Sequence, residues 1–384
     1  MIYLNNAATT WPKPEMVYQA VDKCFRELDS PMRNSSEGAE HGDLMNESRA
    51  SIASFFGVID PKRLILTPGC TYALNLAILG IDWKSGDVAI MSGLEHHAVS
   101  RPIRKLAIER SIRFEIAPYE PGHPIDLDFV EKILRRGRVR LVACTMASNV
   151  TGDIFPVKEV VDLAHRYNAF CLLDAAQAAG VLEVNVETLG ADMVAFAGHK
   201  GLFGPPGLGG LYVAPGIDLR TLAEGGTGGD SGTHGLSHKV PSAYEVGTHN
   251  LPAIVGLAAG VRWIQETGLE KIRTHERKLV GQFLEGALEI PGVTVYGARD
   301  PNQRAGAVSI TMEGMAPKEL AAWLATEHQI TTRAGYHCAP LSHETIGTLP
   351  GDGTIRFGFG YFNTVDEVSI TLKQLAKAPR AVAV

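Results

Sequence analysis

Between Arg63 and Val213 the chain alternates short apolar, β-rich runs with helix-like stretches, and no other feature restricts its fold as strongly. RLILT (63–67) leads into TYALNLAILG, DVAIM (87–91) into a helical segment around 98–110, and RFEIA (113–117) into one around 126–136. VRLVAC (139–144) precedes VKEVVDLAHRY, and AFCLLD (169–174) precedes a short helical stretch ending near Leu189. MVAFA (193–197) and GGLYV (209–213) follow. These runs are almost continuously apolar, the pattern of strands covered on both faces. β and α in alternation at this spacing predict an open α/β fold around a mainly parallel, seven-stranded sheet.

After Pro252 the pattern changes. A helical stretch over 253–289, broken near Gly268, leads to strand-like VTVY (293–296) and AVSIT (307–311). A helix at 317–327, ITTR (330–333), TIRFG (354–358) and a last helix from Val365 complete a smaller α+β unit. The expected division is a large unit over 14–256 and a small one over 257–384 that also takes residues 1–13, with the helix near 255–267 as hinge. A chain of 384 residues with 45% hydrophobic content can fill two cores without metals or crosslinks.

Charge and cysteine usage exclude several functions. Lys plus Arg is 36 against 42 Asp plus Glu, a net −6 with no basic block, which rules out nucleic acid and anionic membranes as default partners. The uncharged run Gly201–Ile217 holds six glycines and three prolines and reads as a loop, not a membrane span. MIYLNNAATT has no basic region ahead of an apolar one, so no secretory signal is expected. The five cysteines are scattered without a CxxC pair, which points to reduced thiols and a cytoplasmic location.

Polar residues gather where strands end, and open α/β sheets bind ligands beyond the carboxyl ends of their strands. Strand 63–67 runs into Pro68-Gly69-Cys70-Thr71, and strand 87–91 is followed by Glu95-His96-His97. Strand 169–174 ends in Asp174 with Gln177 just beyond, and strand 193–197 precedes Gly198-His199-Lys200. The turn at 69–71 is either a phosphate cradle at a helix N-terminus or a plain cap made by Thr71. Asp174 closes an apolar strand, so it either meets a buried cation or caps a helix. Lys200 lies in GHKGLFGPPGLGG beside an apolar strand; desolvation there makes an amine nucleophilic toward carbonyls. Taken together, cradle, carboxylate, amine and imidazoles describe a pyridoxal phosphate site. Lys200 would hold the aldehyde as a Schiff base, Asp174 would keep the pyridine nitrogen protonated, and His96 would stack on the ring.

LNNAATT, GLEHHAV, ASNVTG, LLDAAQ, GHKGLFGPPGLGGLYV, EVGTHN and TRAGYHCAP occur in this order along the whole chain. In these motifs the sequence resembles class V aminotransferase-type pyridoxal phosphate enzymes, and within them cysteine desulfurases and selenocysteine lyases. The resemblance implies a fold type I homodimer with active sites at the subunit interface. It assigns Lys200 to the Schiff base, Asp174 to the ring nitrogen, Gln177 to the phenolic oxygen and His96 to ring stacking and a catalytic role. Cys70 falls within the cofactor cradle, Thr71 and His199 hold the phosphate, and Thr248 reaches in from the other subunit. Asn149, beside the cofactor, and Arg356 take the substrate carboxylate, while Arg333 and Cys338 correspond to the catalytic-loop arginine and the persulfide-forming cysteine. Departures are Cys70-Thr71-Tyr72 for Thr-Thr-Glu, Ala197 for Ser, and Tyr336-His337-Cys338 for His-His-Cys.

A cysteine is ordinarily a small buried hydrophobe. Cys338, between His337 and Ala339-Pro340 and near Arg333, instead suggests an exposed, electropositive loop suited to a nucleophilic thiol. The expected reaction converts L-cysteine to L-alanine through a persulfide on Cys338, handed to an acceptor or scaffold protein, as in iron–sulfur cluster assembly. Selenocysteine lyase, another pyridoxal phosphate lyase or aminotransferase for a small amino acid, and a non-catalytic scaffold are the rivals. Other motif classes fail: GLFGPPGLGG lacks a Lys-Ser/Thr ending, Gly229-Asp230-Ser231-Gly232 misses the GxSxG spacing, and His337, Cys338 and His343 lack a fourth metal ligand. The stretch Gly225 to Gly235 is expected to form a mobile loop near the active site or a dimer contact, not a nucleotide cradle.

Overall fold

The computed structural model describes residues 1–28, 39–226 and 239–379. Most of the glycine-rich stretch Gly225 to Gly235, including Gly229-Asp230-Ser231-Gly232, lies outside the described residues. The strands are β1 (Ile2–Tyr3), β2 (Leu64–Thr67), β3 (Val88–Ser92), β4 (Arg113–Ala117), β5 (Val139–Thr145), β6 (Phe170–Asp174), β7 (Met193–Ala197) and β8 (Gly209–Val213). They continue with β9 (Val293–Tyr296), β10 (Ala307–Met312), β11 (Ile330–Thr331), β12 (Arg333–Gly335) and β13 (Thr354–Gly358). Helices α1 (Glu15–Lys23), α2 (Ala39–Phe55), α3 (Cys70–Gly80), α4 (His97–Arg110), α5 (Leu127–Arg135), α6 (Val157–Arg166) and α7 (Val186–Leu189) belong to the first part. Later come α8 (Leu251–Thr267), α9 (Leu269–Glu289), α10 (Pro317–His328), α11 (Pro340–Thr345) and α12 (Val365–Leu375).

The large sheet has seven strands in the order β2-β8-β7-β6-β5-β3-β4, as expected, and only β8 runs antiparallel to its neighbours. Its apolar runs are continuous because alternate residues serve different layers. Along β5, Leu141 and Ala143 join the core under α3 and α4, while Val142 and Cys144 join the core with α2, α5, α6 and α8. Leu141 and Val142 each contribute roughly 1.5–3 kcal/mol by leaving water, and a one-residue slip in register would exchange the two layers wholesale.

The small antiparallel sheet runs β12-β13-β10-β9 and closes its own core, with Leu4, Phe283, Ile310 and Phe357 fully buried. The expected single strand 330–333 is two. Ile330 and Thr331 pair in parallel with Ile2 and Tyr3, while Arg333 turns into the small sheet opposite Arg356. Gly268 breaks the long helix as expected; its φ of +92° is one that residues with a side chain rarely adopt. No described helix is long and apolar enough to cross a membrane.

Candidate functional site

A cavity of about 730 Å³ opens at the carboxyl edge of the large sheet, where β2, β5, β6 and β7 end. Cys70, Thr71, His96, Asn149, Asp174 and Gln177 line it, together with Ala197, His199, Lys200, Arg333 and Arg356. Residues at the strand ends of the large sheet and residues of β12 and β13 in the small sheet thus share one cavity, which only the folded chain assembles.

At the end of β2 the chain turns through Gly69, whose φ of +148° favours glycine, and enters α3 without any side-chain cap. Thr71 is therefore not the cap that one reading of the turn allowed; it sits in the first helical turn, exposed, where backbone N–H groups and the helix dipole favour an anion. The neighbouring strand must come very close for this cradle to form: a Cβ on Gly209 would lie 2.7 Å from the Cys70 nitrogen and 2.5 Å from the Phe196 carbonyl oxygen.

Asp174 ends β6 with 5% of its surface exposed. The Ala176 N–H donates to Oδ1 at 2.9 Å and the Cys70 thiol to the same oxygen at 3.6 Å. Burial raises the Asp174 pKa, a penalty that Lys200 partly offsets. Burial lowers the Lys200 pKa, with Asp174 and Cys70 opposing and Arg356 and Arg333 reinforcing. The Cys70 thiol is pushed well up, first by burial and then by Asp174. His96, expected to stack on a ring and to act in catalysis, also caps α4, because its Nδ1 accepts the Ala98 N–H at 3.0 Å. That bond places any proton on Nε2, and burial brings the imidazole pKa down to about 3, so the ring is neutral. His199 is likewise depressed to about 4 by burial and the neighbouring Lys200.

On the opposite wall, Arg356 is 1% exposed. Its Nη1 donates to the Asn149 carbonyl at 2.6 Å, whereas Nε and Nη2 are buried without any partner. Unpaired buried guanidinium donors are costly, and a carboxylate satisfies them bidentately. Asn149 Nδ2 donates to the His337 carbonyl at 2.8 Å. Cys338 lies at the rim rather than in the lining: it is exposed, and Arg333 Nη2 donates to its sulfur at 3.2 Å. His337 and Cys338 both take positive φ, 49° and 59°, a strained pair held by Asn149 below and by the His97 N–H on the Cys338 carbonyl at 2.9 Å.

Thr248 is not in this cavity. It is exposed in an adjacent groove of about 420 Å³ that shares Pro68, Tyr72 and Gly207 with the cavity wall. Gln177 lines the cavity while its Nε2 donates to the Ala7 carbonyl at 2.9 Å. Reading the sequence residue by residue missed Ala7 and Ala8, which close the cavity from the N-terminal segment, because small apolar residues carry no chemical signal. It named Glu95 beyond the strand at 87–91 without giving it a role; the residue is fully buried, accepting from Ser92 Oγ at 2.6 Å and from the Thr145 N–H at 2.7 Å. Among the described residues no group of three His, Cys, Asp or Glu could hold a metal ion.

The wall fits pyridoxal phosphate. A helix N-terminus suits its phosphate, and Asp174, a buried carboxylate whose charge burial disfavours, suits a protonated pyridine nitrogen. A desolvated amine stands beside that carboxylate. Ala197 supplies no hydroxyl to the cradle.

Comparison with known proteins agrees. The protein is similar to one named probable cysteine desulfurase from Methanothermobacter thermautotrophicus, 31% identical over 387 residues, covering 98% of this chain and 94% of that protein. It is similar also to one of the same name from Pyrococcus abyssi, 33% identical over 401 residues, with 99% and 96% covered. Among solved structures, an apo cysteine desulfurase from Thermococcus onnurineus NA1 matches with a TM-score of 0.90 and 32% identity, covering 98% of this chain and 94% of that one. The family model described as Aminotransferase class-V matches residues 2–370. By its fold, by the chemistry gathered at the strand ends and by this match, the chain belongs to the aminotransferase class-V family.

Proposed function

We propose that this protein is a pyridoxal phosphate-dependent cysteine desulfurase that converts L-cysteine to L-alanine and takes the sulfur onto Cys338. One observation carries the reading: an exposed thiol, touched by Arg333, stands at the mouth of a cavity whose wall holds Lys200, Asp174 and the half-paired Arg356. A transaminase has no use for a strained, exposed thiol at that position. The relatives' names agree with the reading.

Thr71, Cys70 and His199 would hold the phosphate, His96 the ring face, and Gln177 and Asn149 its polar edge. Asp174 would pair with the ring nitrogen. When bound, the cofactor supplies an electron-withdrawing ring next to the substrate's Cα. Arg356 binds the substrate carboxylate through Nε and Nη2, which orients the amino acid with its side chain toward the rim. Lys200, deprotonated more readily than a surface lysine, moves the proton at Cα. The Cys338 thiolate attacks the substrate sulfur: the new S–S bond forms, the Cβ–S bond breaks, and a proton at Cβ completes alanine. Arg333 steadies the anionic sulfur through its Nη2.

The rim position leaves Cys338 open to an acceptor protein. We further propose a homodimer in which Thr248 reaches the partner's phosphate site, a small unit over 257–384 with residues 1–13, and a reducing, cytoplasmic setting suited to cysteines that form no disulfide among the described residues.

Incubation with L-cysteine and mass analysis test the assignment. The expected result is alanine plus one added sulfur on the Cys338 peptide. Cys338→Ala should keep the absorbance of bound cofactor and lose alanine formation, whereas Lys200→Ala should lose turnover outright, each catalytic group being worth about 10²–10⁴-fold or more. Unchanged desulfuration by Cys338→Ala, or amino-group transfer to an oxo acid as the main reaction, would sink the reading.

A further inference from the structure

The segment after β1 crosses from the small sheet to the cavity. At its start the Gly358 N–H donates to the Leu4 carbonyl at 2.7 Å, and the Asn6 N–H and Nδ2 donate to the Gly358 carbonyl at 3.1 and 3.0 Å. Gly358 ends β13, the strand of Arg356. Ala7 and Ala8 then line the cavity. Next, Thr9 and Thr10 close on the peptide group that joins His199 to Lys200. The His199 carbonyl receives the Thr10 N–H at 3.2 Å, Thr9 Oγ1 at 3.1 Å, Thr10 Oγ1 at 3.2 Å and Lys13 Nζ at 2.7 Å. Thr10 Oγ1 also reaches the Lys200 carbonyl at 2.9 Å and accepts from Lys13 Nζ at 2.7 Å.

A carbonyl oxygen has two lone pairs, yet three donors surround this one, besides the Thr10 hydroxyl, whose single proton serves either this carbonyl or that of Lys200. Ordinary loop packing needs one partner per carbonyl. The excess falls on the single peptide bond that precedes the cavity's amine. Lys13 also bears a cost for its place: burial draws its pKa down to about 8, where an outward-pointing lysine would keep its hydration.

We propose that Lys13 is a positioning residue for Lys200: its ammonium clamps the His199–Lys200 peptide and, through Thr10 and the segment behind it, ties that amine to the strand carrying Arg356. With the peptide plane held, Lys200 reaches the cavity through its side-chain torsions alone, and its approach is referenced to the carboxylate-binding guanidinium. The inference rests on Lys200 being the attachment point of the cofactor, as proposed above.

Lys13→Met keeps the length and apolar stem but removes the charge; Lys13→Arg keeps the charge. Three readouts apply: hydrogen exchange of the apoprotein over residues 198–204, uptake of pyridoxal phosphate followed by absorbance, and kcat and KM for L-cysteine. Loss of a charge-assisted hydrogen bond predicts exchange and uptake altered about tenfold in Lys13→Met, kcat reduced about tenfold and KM within about twofold, with Lys13→Arg restoring most of each. Thr10→Val, which removes one hydroxyl of the same clamp, should move all three in the same direction and carries the test if Lys13→Met does not fold. Wild-type exchange and kcat in Lys13→Met would overturn the inference, and so would a defect confined to KM. Wild-type protein that takes up no pyridoxal phosphate would instead remove the function proposed above, while apoprotein exchange would still decide whether the clamp exists.

Discussion

Buried ionisable residues set opposing demands on pH. Burial holds His96 near 3 and His199 and His343 near 4, so the folded protein refuses protons that an unfolded chain accepts below about 6.5. Their contribution to stability is present above that pH and is lost as pH falls through it. Burial acts oppositely on Glu95 and Glu276, both raised to about 8. Between about 4.5 and 8 the folded state keeps protons that the unfolded state has released, so this contribution is lost as pH rises. The melting temperature of the apoprotein should therefore peak between about pH 6 and 7 and fall on both sides. Glu95→Gln removes one proton from the alkaline limb, up to about 1.4 kcal/mol per pH unit. Its loss of stability between pH 7 and pH 8, measured by denaturant titration, should be smaller than that of the wild type; an equal loss would mean that Glu95 ionises freely in the folded protein.

At the level of elements, the anion cradle depends on the antiparallel insertion of β8 between β2 and β7. β8 carries glycine where it passes Gly69 and Cys70, and every close atom there belongs to backbone that cannot yield. Gly209→Ala should therefore cost about 1–3 kcal/mol through overpacking and displace the first turn of α3. Weaker retention of pyridoxal phosphate, with the Lys200 attachment intact, is the expected signature in dialysis against buffer. Retention equal to wild type would show that the cradle tolerates movement of that turn.

Across the whole molecule, the beginning of the chain is built into its last third. β1 pairs with β11, and Leu4 is fully buried in the small core beside Ile310 and Phe357. Leu4→Ala should destabilise the small unit by about 2–5 kcal/mol. Hydrogen exchange should then rise across residues 307–312 and 354–358 while residues 139–145 keep their protection. Equal loosening of both sheets would indicate one cooperative unit. The large sheet was legible beforehand because a strand buried on both faces must be apolar along its whole length, and that shows in any window of five residues. Asp174, His199 and Lys200 were legible for a related reason: a polar group directly after such a run stands at the sheet's carboxyl edge whatever the detailed fold. The division of 330–335 between two sheets was not legible, since Ile330 and Arg333 are neighbours in sequence and only their partners, Ile2 and Arg356, separate them. Nor could sequence show that His96 caps α4 or that Thr9, Thr10 and Lys13 converge on one carbonyl. Local patterning thus determined the layers and the edge on which chemistry gathers, because hydrophobic burial and backbone pairing act over a few residues. Which donors meet which acceptors across hundreds of positions was decided by packing alone, because such contacts arise from the positions of whole elements and leave no periodic trace.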